Sequence, residues 1–132
     1  MPDYTLSEQV SSSPAAAFEY LANHKNLPKY VATMVMVHPV AGDKLRVAAD
    51  VQGRHEEGEG WFRTDPAAGR IEWGSADNPH YAGSLVIAGG DSSCTVTIKI
   101  STDREGEEGE PEEIERALAE TTSNIKRLLE SP

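Results

Sequence analysis

Residues 11–31 read SSSPAAAFEYLANHKNLPKYV, and the fold turns on how this stretch is parsed. Ser13-Pro14 is a helix start. The serine side chain can accept from an orphan N–H of the first turn, and proline at the first helical position forgoes an N–H that has no partner there. The run AAAFEYLAN then puts Phe18, Leu21 and Ala22 on one stripe, which predicts a short helix. Asn23 to Asn26 breaks it, and Leu27-Pro28-Lys29-Tyr30 predicts a second, very short one.

Outward from this stretch the periodicity is two. Residues 3–10 (DYTLSEQV) read as a strand with Tyr4, Leu6 and Val10 on one face and Glu8 as the exception. On the other side, strands are predicted at about 33–40, 44–52, 55–65, 70–76, 80–89 and 92–102. Gly42-Asp43, Gly53-Arg54, Pro66 to Gly69, Asp77-Asn78-Pro79 and Gly90-Asp91 separate them as turns. Six strands joined this tightly form an antiparallel meander. After a polar, acidic linker (DREGEEGE), a helix over about 111–129 carries Ile114, Ala117, Leu118, Thr121, Ile125, Leu128 and Leu129 on one face. Acids crowd its first turn and Lys126-Arg127 its last, as the helix dipole favours. The order is strand, two short helices, six strands, long helix.

Turns set register, and register sets faces. A two-residue turn at Gly90-Asp91 pairs Ile87 with Cys94, Leu85 with Val96, Gly83 with Ile98 and Tyr81 with Ile100. A two-residue turn at Gly53-Arg54 pairs Val51 with Glu56, Ala49 with Gly58, Val47 with Gly60 and Leu45 with Phe62. A four-residue loop at Pro66 to Gly69 pairs Thr64 with Ile71 and Phe62 with Trp73. A turn at Gly42-Asp43 pairs Val40 with Leu45, His38 with Val47 and Met36 with Ala49. The predicted inner face is apolar with a few polar groups: His38, Thr64, Ser75, Tyr81 and Glu56. Binding pockets are usually lined this way. Gly58, Gly60 and Gly83 also face inward, and a glycine inside a strand leaves a gap or marks a bulge that bends the sheet.

Composition narrows the function classes. At 132 residues and 14.3 kDa the chain is expected to be one domain, 1–132, and its 38% hydrophobic content supports a core. No apolar run approaches the roughly 18 residues of a membrane span, and Met1-Pro2-Asp3-Tyr4 does not read as a secretory signal. Cys94 is the only cysteine, so no internal disulfide or thiolate metal cluster is expected, and a reduced, cytoplasmic setting is the simplest reading. The net charge of −10 is concentrated between Asp103 and Glu120, where nine acids face two bases. No basic stripe exists to neutralise phosphates, so nucleic acid is not the expected partner. There is no G-x-S-x-G elbow, phosphate loop, dinucleotide fingerprint or HExxH, and neither cofactor nor metal is expected. His55, Glu57 and Glu59 share a strand face, but it is the outward one, with Asp50 opposite Glu57, and reads as a solvated charged surface.

The stretch at 11–31 resembles the opening of START-like (SRPBCC) proteins, in their polyketide cyclase/dehydrase and lipid-transport group. Ser13, Pro14, Phe18, Leu21, Asn23, Asn26, Leu27, Pro28, Lys29 and Tyr30 fall at the places that this opening uses. The six-strand meander and last helix extend the resemblance over essentially the whole chain. It implies an α+β helix-grip fold: a curved antiparallel seven-stranded sheet wrapped on the long C-terminal helix, with a cavity between them. It carries no universal catalytic residue.

The expected function is therefore binding of a small hydrophobic or aromatic ligand (a lipid, quinone or polyketide-like molecule) in that cavity. The expected lining is Met36, His38, Phe62, Trp73, Ser75, Tyr81 and Leu118. Phe62 and Trp73 could equally be a core aromatic pair, and His38 and Tyr81 satisfied core residues. A second reading is a cyclase or dehydratase with His38 as acid–base and Tyr81 as hydrogen-bond donor. A third is an interaction module or homodimer using an exposed Trp61, which is predicted outward opposite Arg46 in reach of a cation–π contact. His24 and Tyr30 would line the cavity mouth or cap helix ends, and Cys94 would be a buried, inert thiol.

Overall fold

The helix start at Ser13-Pro14 is built as that dipeptide dictates. In a computed structural model of the chain, Ser13 Oγ accepts from the Ala16 N–H at 3.2 Å and Pro14 opens the helix. The structure describes residues 3–31, 34–51, 54–75, 81–102 and 111–130. In chain order the elements are β1 (Asp3–Val10), α1 (Pro14–Leu21), a 3₁₀ turn (His24–Asn26), α2 (Leu27–Tyr30), β2 (Met34–Ala41), β3 (Lys44–Val51), β4 (Arg54–Asp65), β5 (Arg70–Ser75), β6 (Tyr81–Gly89), β7 (Cys94–Thr102) and α3 (Pro111–Glu130). The expected order of strand, two helices, six strands and long helix holds.

The strands form one antiparallel sheet in the order β1-β7-β6-β5-β4-β3-β2. Every sequence neighbour in the meander is a spatial neighbour, and β1 joins at the far edge against β7. The sheet curves around α3, which lies along β1, reaches β7 and meets α2, while α1 covers β6. This is the α+β helix-grip arrangement.

The sealed core sits where the three helices meet the β1-β7-β6-β5 half of the sheet. Val10, Leu21, Ile71, Leu85, Val96, Ile98 and Ile125 are its largest fully buried side chains. Burying one such side chain contributes about 1.5–3 kcal/mol. Thr122 is buried between Leu118 and Ile125 on α3, and its hydroxyl hydrogen is shared by the Leu118 and Ala119 carbonyls at 3.0 and 2.9 Å. Tyr30 ties the helices together. Its buried hydroxyl donates to the Leu21 carbonyl at the end of α1 (2.8 Å), and its own carbonyl accepts from Asn124 Nδ2 of α3 (3.3 Å). Tyr30 therefore caps a helix end, one of the two roles expected for it.

The C-terminal turn of α3 is fastened to the end of β1. Lys126 Nζ donates to the Gln9 carbonyl at 3.1 Å and pairs with Glu130 at 2.7 Å. Glu130 Oε2 also accepts from the Ser11 N–H at 2.9 Å. These bonds hold the Glu130 carboxyl below the ordinary glutamate range, with Lys126 the larger cause.

Two hairpins differ from the sequence-based register by two residues. Gly90 to Ser93 form a four-residue reversal, closed by the Gly90 N–H on the Ser93 carbonyl (3.1 Å), so Gly89 meets Cys94, Leu85 meets Ile98 and Gly83 meets Ile100. Between β3 and β4, Val51 meets Arg54, Val47 meets Gly58 and Leu45 meets Gly60, where the sequence-based register has Glu56, Gly60 and Phe62. A shift of two keeps every side chain on its face. The Pro66 to Gly69 loop is as predicted, with Phe62 opposite Trp73 and Thr64 opposite Ile71.

β2 differs in parity. Its turn at Gly42-Asp43 sets Ala41 opposite Lys44 as expected, but bulges at Val40 and Val35 then shift the ladder. The result is Pro39 opposite Leu45, His38 opposite Arg46, Val37 opposite Val47 and Met36 opposite Ala48. β2 is an edge strand, and Pro39 has no N–H for a ladder; edges and bulges are where strands tolerate proline. The expected inward placement of Met36 and His38 is corrected accordingly: Val37 and Met34 take the inner positions and join the core.

Candidate functional site

The registers align one inner row across five strands: Phe62 (β4), Trp73 (β5), Gly83 (β6), Ile100 (β7) and Tyr4 (β1). The next row, Ile71, Leu85 and Ile98, ends at Leu6 and is sealed beneath the helices, with each of the first three at most 1% exposed. The Phe62–Tyr4 row is different. Phe62, Trp73, Ile100 and Tyr4 are only partly buried, as are Met34, Val37 and Val47 beyond it. The concave face thus changes from a solid core to an apolar surface that is incompletely covered.

One end of this row opens beside α3. Tyr4, Thr5 and Leu6 of β1 and Glu115, Leu118 and Ala119 of α3 line a groove of about 390 Å³. Leu118 is 6% exposed. A larger groove, about 510 Å³, lies between the start of α1 (Pro14, Ala15, Phe18), the Pro66 to Gly69 loop and the end of β6 (Ile87 to Gly89). Its walls are small and apolar, with no group suited to chemistry.

Trp73 has a particular seat. A β-carbon on Gly83 would fall well inside van der Waals distance of Trp73 Nε1, Cε2 and Cζ2. The indole edge occupies the space that the glycine leaves, so Gly83 does not open a void of its own. On the outer face the arrangement repeats: the same edge of Trp61 lies over Gly74, within 2.6 Å of where its β-carbon would be. Gly60, which the sequence also pointed inward, is closed off by strand backbone, its β-carbon position lying 2.8 Å from the Gly74 carbonyl oxygen.

The other expected residues are placed as follows. His38 is exposed on β2 across from Arg46 and does not share a face with Trp73. Met36 is half-buried opposite Ala48 on that same outer side. Ser75 lies opposite Gly60 and Tyr81 opposite Thr102; their side chains, like that of Glu56, fall outside the described residues. Of the expected lining, Phe62 and Trp73 are brought together, and Leu118 stands at the groove under the other end of the row. Tyr4 and Ile100 complete the row and are not among the expected site residues, although the sequence-based register pairs Ile100 with the inward-facing Tyr81.

Trp61 is half-buried, stacked under Arg63 with the guanidinium carbon 4.8 Å from the ring centroid. Its strand partners are Lys44 and Gly74, so the cation–π contact exists but with Arg63 in place of Arg46. Arg63 is held in turn by Asp43 at 2.6 Å, which lowers the Asp43 carboxyl. Across from the outward acids, Glu57 faces Ala48, and it is His55 that faces Asp50. Cys94 is buried, and burial raises its thiol above the ordinary range. No helix among the described residues is long and apolar enough to cross a membrane.

No protein-family model and no curated protein matches the sequence. Solved structures do match. The di-domain ARO/CYC StfQ from the steffimycin biosynthetic pathway is 18% identical with a TM-score of 0.77, over 98% of this chain and 45% of StfQ. The chain therefore spans less than half of that protein. A START superfamily protein from Mycobacterium smegmatis is 14% identical, TM-score 0.74, over 97% of this chain and 94% of its own. The KanY protein, solved by NMR, is 13% identical, TM-score 0.79, over 98% of both chains. The chain has the helix-grip fold of START-like proteins.

Proposed function

We propose that this chain binds a small hydrophobic or aromatic ligand between the sheet and α3, against the row from Phe62 to Tyr4. The carrying observation is the incomplete burial of that row beside Ile71, Leu85 and Ile98, which are sealed. Two aromatic side chains paired across strands on a concave face supply the apolar area and the flat surface that such a ligand needs. The groove between β1 and α3 is the route in, with Tyr4, Thr5 and Glu115 as its polar residues. Lipids, quinones and polyketide-like molecules are the classes in view, and the likeness in fold to the ARO/CYC protein StfQ supports the last of these. A cytoplasmic setting belongs to the same proposal, supported by a single, buried thiol. The cyclase reading loses its acid–base candidate with His38 on the other face of the sheet.

Native mass spectrometry of protein purified from its own host, followed by organic extraction, tests the proposal. A reproducible extra mass is expected. In a Trp61→Phe background, where Trp73 is the sole tryptophan, the extracted compound should change Trp73 emission on rebinding. A clean apo mass, together with Trp73 emission unmoved by any lipid, quinone or aromatic polyketide, would overturn it.

A further inference from the structure

We infer that Gly83 is a positioning residue that sets how much room the ligand has, by giving the Trp73 indole a place to sink into the sheet. The inference rests on the proposed ligand site, but its first readout needs no ligand. Trp73 stands between Phe62 on β4 and Gly83 on β6. Its Nε1–Cε2–Cζ2 edge lies where a β-carbon of residue 83 would be. Any side chain at 83 removes that seat. The indole is rigid, so it must rise off the sheet or turn back over Phe62. Both movements put ring atoms into the space above the row. With the glycine in place, the row stays low from Phe62 to Ile100 and Tyr4, and a flat molecule can lie along it. Gly83 is itself buried, so it exerts this effect through Trp73 and not by touching a ligand.

The seat is not required by the turn or by backbone conformation. The positive-φ glycines among the described residues are Gly42 and Gly69, and Gly83 lies mid-strand opposite Ile100. Glycine inside a strand weakens it, and the usual compensation is a neighbouring aromatic that covers the gap. Trp61 over Gly74 is that device on the outer face, where Arg63 stacks on the ring. The inner copy stands in the incompletely covered row.

The test uses Trp61→Phe protein with two aromatic probes, 1-naphthol with two fused rings and alizarin with three, measured by equilibrium dialysis. Gly83→Ala should shift the Trp73 emission maximum without any probe present. It should weaken alizarin at least tenfold while 1-naphthol changes less than threefold. Gly83→Ala combined with Trp73→Phe should restore alizarin binding, because phenylalanine lacks the atoms that clash. A purely structural role for Gly83 would weaken both probes alike. If the Gly83→Ala protein does not fold, the double variant Gly83→Ala, Trp73→Phe decides: removal of the clashing indole atoms should restore folding, and a double variant that also fails to fold overturns the inference. Equal alizarin affinity in the parent and Gly83→Ala proteins, or unmoved Trp73 emission, overturns the inference while leaving the ligand site standing. Failure of the parent protein to bind either probe overturns the inference, and together with a clean apo mass it overturns the ligand site as well.

Discussion

Replacing Tyr30 by phenylalanine removes one oxygen and should be felt across three helices. The hydroxyl is buried and donates to the Leu21 carbonyl at 2.8 Å, so its loss leaves a helix-end carbonyl in the core with one partner fewer. Such a loss costs about 1–3 kcal/mol. Taking about 2 kcal/mol and a urea slope near 2 kcal/mol/M for a domain of this size, the midpoint should fall by about 1 M. The pH dependence makes the test sharper. Burial, with a smaller contribution from Tyr20, raises the Tyr30 phenol above its ordinary value of 10.0. The unfolded chain therefore ionises at this residue first as pH rises. The stability from keeping the phenol neutral is complete below pH 10 and declines above it by about 1.4 kcal/mol per pH unit. Phenylalanine has no such decline, and every other group is common to both proteins. The roughly 2 kcal/mol deficit of Tyr30→Phe should thus close by about pH 11.5. Urea melts of both proteins from pH 7 to 11.5 measure it. A difference that stays constant over that range, or one below about 0.5 kcal/mol at pH 7, would refute the assignment of Tyr30 as a buried donor.

Gly69→Ala should destabilise the β4–β5 loop by about 1–3 kcal/mol in urea melts, since φ is +63° and the new β-carbon would lie 2.7 Å from the Ile87 carbonyl oxygen. Glu130→Gln should lower the melting temperature at pH 7. The contribution of the lowered Glu130 carboxyl is present above the ordinary value of 4.5 and lost as pH falls through its folded value, so melts at pH 7 and pH 2 should show the difference shrinking. Ile98→Ala removes a side chain 1% exposed at the centre of the core and should cost about 2–5 kcal/mol; a loss under 1 kcal/mol would mean that this row is not sealed.

The turns and the helix start were legible because each is a local choice. Ser13-Pro14, Gly42-Asp43 and Pro66 to Gly69 act within a few residues. At Gly90 to Ser93 the loop closed two residues later than a minimal turn would, and the faces survived because the shift was even. β2 was not legible. In Met34-Val35-Met36-Val37-His38-Pro39-Val40 nearly every residue is apolar, so no polar alternation marks its outer face or its two bulges. His38 drew attention as the one polar side chain in that run, and the bulge turned it outward. The site row could be assembled only once β1 was known to pair with β7, a link spanning most of the chain that no local pattern reports. Nor does register alone show that an indole leans over a glycine on the next strand.

The pairing of β1 with β7 also orders events during synthesis. Ser7 and Thr97, hydrogen-bonded at 2.9 Å, are 90 residues apart. At about 5–20 residues per second a ribosome needs roughly 5–18 seconds to cover that distance. Throughout it Tyr4, Leu6 and Val10 have no strand to lie against, while the β2 to β6 hairpins can form as they emerge. The fastenings of Glu130 to Ser11 and Lys126 to Gln9 come later still. The nascent chain therefore carries β1 as an unmatched apolar segment until β7 has been made, and the β1–β7 seam closes after the hairpins that lie between them in sequence.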